Sequence, residues 1–388
     1  MFRKIPFNVW ILGFVSFFND IASEMIYPLV PIFLTSVLNA PVTTVGLIEG
    51  VAEGMSNIVK FFSGYFSDKV HSRKPFVVAG YSLGAVSKLL IGLAYSWPFV
   101  LFARFIDRLG KGVRTSARDS MLLQNTTKDN KGMIFGFHRA MDSAGAIVGP
   151  LLALVLLYFL KDDIRLVFLL AFIPGVIGVI LLLLFVKEKK VADGGKKFQF
   201  HFKWKELNPN FKFFLLILVI FSLGNSSDAF LILRAKDLGL STLLVTLAYV
   251  LYNIVQAAVA TPAGSLADRI GKRKVFAGGL LIFSAVYFAF GLISSSFWIW
   301  FLFPIYGLYI AFTDGVSKAY ISEFMDERES GTYFGIYQTA LGFATFFASF
   351  AGGYLWDKFG ASSTFYFGAI MSLLAFLILF YGKFIKKI

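Results

Sequence analysis

Roughly a dozen runs of about 20 mostly apolar residues, joined by polar loops, make up nearly all of this chain of 388 residues. They fall near 9–34, 42–66, 75–95, 98–122, 133–158, 164–186, 211–233, 242–266, 276–294, 298–322, 333–356 and 363–384. A run of that length crosses the hydrocarbon core as one helix. Lipid offers the backbone no hydrogen-bond partner, so each segment must satisfy its own N–H and C=O groups. The pattern predicts an all-α integral membrane protein with about 12 transmembrane helices. A soluble enzyme of this length would show alternating strand and helix patterns and about 25% charged residues. Here 57% of residues are hydrophobic and 15% are charged.

The loops predict the orientation. Lys69, Arg73 and Lys74 follow the second run, Lys128 and Lys131 the fourth, and a lysine-rich stretch from Lys187 the sixth. Arg269, Lys272, Arg273 and Lys274 follow the eighth, and Lys383, Lys386 and Lys387 end the chain. The intervening loops are short and almost uncharged. Cytoplasmic loops concentrate Lys and Arg, so both termini are expected in the cytoplasm and the protein in the cell (inner) membrane. This placement also accounts for the net charge of +14. No basic face or aromatic-interleaved platform suggests a nucleic-acid partner. The N-terminus reads as the first span, without a small-residue cleavage site.

The chain has no cysteine, which excludes disulfides, thiol catalysis and cysteine metal sites. His71, His138 and His201 are scattered without ligand spacing, so no metal and no cofactor are expected. The one long polar connection, 187–210, divides the chain into an N-terminal six-helix bundle (1–186) and a C-terminal one (211–388). These halves repeat: Gly64-Tyr-Phe-Ser-Asp68-Lys69 returns 200 residues later as Gly264-Ser-Leu-Ala-Asp268-Arg269. Gly132-Met-Ile-Phe-Gly136 matches Gly331-Thr-Tyr-Phe-Gly335. A weaker copy, Gly353-Tyr-Leu-Trp-Asp357-Lys358, ends the eleventh run. Repeated six-helix halves suggest a transporter with its site between them near the bilayer midplane.

Ions inside the apolar runs point to that site. An ionised side chain at the bilayer centre costs about 2.5–3.5 kcal/mol on insertion scales, so it faces the bundle interior or a wet cavity. Arg104, Asp107 and Arg108 share a helical face, and Arg139 and Asp142 repeat the spacing on the next run. The first run carries Asn19, Asp20 and Glu24, the second Glu49 and Glu53, the third Lys88. Carboxylates withdrawn from water hold protons more tightly, as a proton carrier requires. Asp20, Glu24, Glu53, Arg104, Arg108 and Asp142 are therefore proton-coupling candidates, although some must form structural ion pairs. The second half is less charged. Asn225, Asp228, Asn253, Gln256, Asp314 and Tyr337, with Asn19, Lys88 and Arg139, are the substrate-cavity candidates. Asn253 and Gln256 share a face and suit either a substrate or an interhelical contact.

These residues resemble the major facilitator superfamily over essentially the whole chain. The family's loop signature between spans 2 and 3 is G-x-L-[AS]-D-R-x-G-R-[RK]. The copy GSLADRIGKRK at 264–274 is nearer to it than GYFSDKVHSRK at 64–74, where Phe66 replaces Leu, Lys69 replaces Arg, and Ser72 stands where the loop lacks its Gly. The resemblance implies a cytoplasmic gate made of Gly64, Asp68, Lys69 and Arg73 with Gly264, Asp268, Arg269 and Arg273. Arg108-Leu-Gly-Lys111-Gly112-Val-Arg114 partly meets R-x-x-Q-G-x-G, with Lys111 for Gln and Arg114 for the last Gly. In the family that Arg is associated with proton coupling; structural pairing of Arg108 with an acid is the alternative. Gly136, Gly145, Gly149 and Pro150 resemble the antiporter signature G-x8-G-x3-G-P-x2-G-G without its closing Gly pair. That resemblance implies export in exchange for protons; close helix packing alone is the plainer explanation. The reading is a monomeric, proton-coupled exporter of a small amphipathic organic molecule, partnered by substrate, protons and the bilayer. Proton-driven uptake of an organic anion is the alternative. A receptor keeping the fold is disfavoured by the lack of a sizeable soluble domain. An enzyme is disfavoured by the lack of a metal cluster or nucleophile–base motif.

Overall fold

The first span does not cross as one helix. Helix α1 (Phe7–Ile26) ends before Pro28, and the chain continues through a short turn, α2 (Val30–Ile32), into a π-helical turn at Phe33–Val37. The computed structural model describes residues 5–70, 72–126, 130–188, 207–325 and 330–382, without side chains for 57, 58, 60–70, 131, 132 and 330–332. The remaining helices of the first half are α3 (Val42–Val70), α4 (Lys74–Gly92), α5 (Trp97–Leu123), α6 (Lys131–Phe159) and α7 (Ile164–Phe185). The second half has α8 (Pro209–Gly224), α9 (Ala229–Asp237), α10 (Thr242–Ile270), α11 (Lys272–Leu292), α12 (Ile299–Ile321), α13 (Ser330–Phe359) and α14 (Ala361–Tyr381).

The seventh span, read from sequence as continuous over 211–233, is broken. Between α8 and α9 lies Asn225–Asp228, following Gly224. Asn, Ser and Asp compete for backbone hydrogen bonds with their own side chains and so weaken a helix. Here Ser227 Oγ accepts from Ala229 N at 3.3 Å, and Ser349 Oγ on α13 accepts from Ser227 N at 3.1 Å. Interrupted backbone at membrane depth is tolerated where protein satisfies it. Both halves thus begin with an interrupted span.

Ten helical stretches are long and apolar enough to cross a membrane among the described residues. Helices α3 and α5, of 29 and 27 residues, fall outside that set because of their charges. Prolines at the first turns of α4, α5 and α8 suit positions whose N–H would be unpaired anyway. Gly271 (φ +100°) joins α10 directly to α11, in a conformation closed to L side chains.

Contacts divide the chain into two compact units: Met1–Leu38 with Met55–Phe198, and Asn39–Gly54 with Gln199–Ile388. In the first, Val9, Leu12, Val15, Val77, Tyr81, Met121, Ile134 and Leu182 form a core shared by α1, α4, α5, α6 and α7. In the second, the start of α3 lies on α13. Asp357, from the weaker motif copy, caps α3 by accepting from Val42 N (3.1 Å), Thr43 N (2.7 Å) and Thr43 Oγ1 (2.6 Å). Outward faces of α7 and α14 expose Ile173, Ile177, Leu184, Ile370 and Leu377, as lipid-facing helices do.

Internal symmetry extends to the helix ends. Lys74 donates to Leu183 O (3.1 Å) and Val186 O (2.7 Å) at the end of α7. Arg273 does the same for Leu379, Phe380 and Gly382 at the end of α14. Arg165 caps the end of α4 through Ala94 O (2.6 Å), and Arg234 the end of α11 through Ile293 O (2.7 Å). Cations at helix C-termini satisfy orphan carbonyls and oppose the negative end of the helix dipole.

Candidate functional site

The charged face of α5 is buried. Asp107 Oδ1 lies 2.5 Å from Lys88 Nζ on α4 and accepts from Ser87 Oγ at 3.0 Å. Its Oδ2 is 3.9 Å from Arg108 Nε. Lys88 is 1% exposed, so its charge depends on this carboxylate. Arg104, also buried, stands 5.9 Å from the centre of the Tyr27 ring. One turn beyond Lys111, Arg114 lies 4.3 Å from the Tyr81 ring centre and donates to Asn19 Oδ1 at 2.6 Å. Asn19 Nδ2 in turn donates to Asp20 Oδ1 at 3.3 Å. The close approach of α4 and α5 makes these distances possible: a Cβ on Gly80 would lie 2.6 Å from Gly110 O.

Helices α1 and α6 form the second seam. A Cβ on Gly145 would lie 2.7 Å from Phe17 O and 2.9 Å from Asp20 Cβ. One on Gly149 would lie 2.7 Å from Ile21 O and 2.9 Å from Glu24 Cβ. These two glycines set the backbone of α6 against α1 where α1 carries its two acids. Gly136 has open space around it, and α6 runs on through Pro150. Opposite effects follow. Gly145→Ala is expected to destabilise the protein by about 1–3 kcal/mol through overpacking. Gly136→Ala is expected to be neutral or to stabilise by about 0.5–1 kcal/mol by lowering unfolded-state entropy. Thermal unfolding of the purified variants checks both; equal midpoints would remove the packing argument.

Asp142 pairs along α6 with His138 (Nδ1–Oδ2 3.5 Å) one turn earlier, and Arg139 is exposed. Asp20, Glu24 and Glu53 are partly buried.

In the second unit Asp228 sits at the break of the seventh span. Tyr306 Oη donates to its Oδ1 at 2.6 Å, and Tyr252 Oη to its Oδ2 at 3.0 Å. Around it Tyr249, Tyr252, Tyr287, Tyr306, Tyr309 and Phe283 form a continuous ring cluster, with Phe283 and Tyr287 stacked 3.9 Å apart. Asn253 spends its amide on Tyr249 O of its own helix (3.0 Å). Asp314 is exposed and pairs with Lys318 at 2.7 Å. Asn225 and Gln256 are partly buried and Tyr337 is buried. Tyr249 and Tyr252 stand out in the sequence as cavity aromatics, but Phe283, Tyr287, Tyr306 and Tyr309 come from α11 and α12, and no spacing along one run brings them to Asp228.

Side chains of Gly64, Asp68 and Lys69 lie outside the described residues. Asp268 and Arg269 are exposed and Gly264 is partly buried. Arg73 donates to Ser120 O at 3.4 Å, and Lys272 pairs with Glu323 at 2.6 Å. Glu188, unnoticed in the sequence, accepts from Ser72 Oγ at 3.0 Å and from the N–H groups of Arg73 and Lys74.

Two pseudo-symmetric six-helix halves, an interrupted span opening each, and buried charges within the spans define a multi-pass membrane transporter rather than an enzyme. The Major Facilitator Superfamily model matches residues 12–233 and again 213–386, and this chain belongs to that family. It is similar to the uncharacterized MFS-type transporter MJ1317 of Methanocaldococcus jannaschii, 37% identical over 98% of this chain and 96% of that one. A shorter match, 26% identical over 37% of this chain and 35% of the relative, is the multidrug resistance protein MdtH of Salmonella paratyphi B. Among solved structures, the nucleoside transporter NupG shares the fold at a TM-score of 0.77, with 13% identity, 97% of this chain and 100% of that one covered. The human organic anion transporter MFSD10 does so at 0.67, with 16% identity over 97% and 99%. The family binds small-molecule substrates within the membrane.

Proposed function

We propose that this protein exports a small amphipathic organic compound in exchange for protons, by alternating access of its two six-helix halves. The observation that carries this reading is the α1–α6 seam, where Gly145 and Gly149 bring α6 onto α1 beside Asp20 and Glu24. A pair of acids held at a close helix contact is suited to exchange water and protons when that contact changes. The similarity to a protein named for multidrug resistance supports export. Inside-out vesicles with an acidic lumen test it: an amphipathic fluorescent dye is expected to accumulate, and the lumen to lose protons as it does. Dye accumulation that ignores the proton gradient would remove the coupling. The buried cations Lys88, Arg104 and Arg108 favour a second reading, proton-driven uptake of an organic anion; it predicts anion accumulation in right-side-out vesicles instead.

The same reading places the protein in the inner membrane as a monomer, with both termini and the 187–210 linker in the cytoplasm. The absence of cysteine gives a silent background for labelling. Cysteine introduced at Ser72 or Lys274 is expected to react with a membrane-impermeant maleimide only from the cytoplasmic side. Labelling of either from outside would invert the orientation.

A further inference from the structure

His138 has no role in the reading so far, and its surroundings are unlike those of a packed core histidine. It is 4% exposed on α6. One ring nitrogen, Nδ1, lies 3.5 Å from Asp142 Oδ2. The other, Nε2, is buried without a hydrogen-bond partner, and so is Asp142 Oδ1. A buried polar atom left unpaired is costly, about 1–3 kcal/mol, so two of them within one helical turn call for a function.

The charged groups facing this pair come from two neighbouring helices. On α1, Ser16 and, one turn further along the same face, Asp20 lie beside Asp142. On α5, Arg118 Nη1 donates to Ser16 Oγ at 3.3 Å while its guanidinium is held by Asp119 at 2.9 Å. Lys111 and Arg114 of α5 act on Asp20. Helix α7, which also touches α6, carries Arg165 at its start and no other charge. His138, Asp142, Ser16 and Asp20 therefore form an ascending series along the α1–α6 seam. Helix α6 rises 1.5 Å per residue, which puts His138 about 10 Å and Asp142 about 17 Å from the start of the helix at Lys131. Asp20 is level with Gly145, further still.

We propose that His138 is a proton-carrying residue of the exchange, forming with Asp142 the step between the Lys131 end of α6 and Asp20. The imidazole gains one proton and one positive charge, and the Asp142 carboxylate balances that charge. That proton arrives from the Asp20 side, and when it leaves toward the Lys131 end of α6, the direction export requires, His138 returns to the neutral ring with one nitrogen protonated. Histidine is suited to this because its charge changes within about pH 5–8, where cytoplasmic proton exchange takes place. Asp142 next to it orients the ring and compensates the cation, as carboxylates do for other working histidines.

The proposal rests on the proton-coupled reading, and its test separates the two. Reconstituted protein and its His138→Gln and His138→Asn variants are assayed for substrate counterflow without a gradient and for net transport driven by a pH gradient. Counterflow is expected to stay near the parent rate. Gradient-driven transport is expected to fall by about tenfold or more, with loss of the inflection between about pH 5 and 8. Loss of counterflow and driven transport in equal measure would mark His138 as structural. A parent driven by protons whose variants keep both rate and pH profile removes this proposal alone; a parent indifferent to the gradient removes the coupling reading itself. The second measurement needs no transport: in ¹⁵N-histidine spectra of the His71→Gln/His201→Gln protein, the one remaining imidazole is expected to be seen in both its neutral and its protonated form as the pH is changed. A ring that stays in one form from about pH 5 to 9 overturns the proposal.

Discussion

Asp107→Asn is expected to destabilise the protein by about 3–5 kcal/mol, the range seen when one member of a buried ion pair is removed. The physical cause is Lys88, which is 1% exposed and has its ammonium 2.5 Å from Asp107 Oδ1. An amide of the same shape keeps a hydrogen bond from Ser87 and offers Lys88 a carbonyl oxygen, but it removes the negative charge. Arg104 and Arg108, close by on the same face of α5, then add repulsion that Asp107 formerly offset. The double change Lys88→Met/Asp107→Leu is expected to recover most of the loss, because an apolar pair of similar volume replaces a buried ion pair at little cost. Unfolding of the purified proteins in detergent, followed by heat or denaturant, reads both effects. An Asp107→Asn variant as stable as the parent would show that water reaches Lys88 and that the cluster is less dry than its burial implies.

The larger functional effect is expected at Asp20. Asp20→Asn should abolish gradient-driven net transport, a loss of about 100-fold or more, while substrate exchange persists. Asp20 is held by Asn19, which is held by Arg114, so its surroundings connect α1 to α5 through two hydrogen bonds of 3.3 and 2.6 Å. Its Cβ also abuts Gly145 on α6. An acid tied to two neighbouring helices responds to movement of either, since withdrawal from water and the distance to a guanidinium act on it in opposite directions. Glu24→Gln and Glu53→Gln alter the nearest alternative acids and are tested alongside. If Asp20→Asn transports at the parent rate with the parent pH dependence, Asp20 is a structural partner of the arginine network, and the coupling acid is to be sought at Glu53 or Asp142.

Much of this protein is legible along one dimension. About 20 apolar residues between loops describe a span whatever the span packs against, because the bilayer imposes the length and backbone satisfaction imposes the helix. The repeat of GYFSDK and GSLADR shows the two halves by the same kind of local evidence. Arg104, Asp107 and Arg108 announce a buried cluster because charges inside an apolar run have few places to go. Of the glycines in the α6 pattern, Gly145 and Gly149 mark where a helix approaches, while Gly136 stands in open space.

What lies across helices is not legible this way. No spacing in the sequence says that Asp107 answers Lys88, that Asp142 pairs with His138 while Arg139 is exposed, or that Asp357 caps α3. The break at Asn225–Asp228 is hidden inside a hydrophobic run, since its cost is met by Ser349 on α13, and the hydroxyls that hold Asp228 come from α10 and α12. Length, helicity, repeat and the presence of buried charge belong to the sequence by itself, because hydrocarbon acts on each segment separately. The partners of those charges were decided by the tertiary structure alone, because they depend on which helix faces approach within hydrogen-bonding distance, and that is settled by packing between segments far apart in the chain.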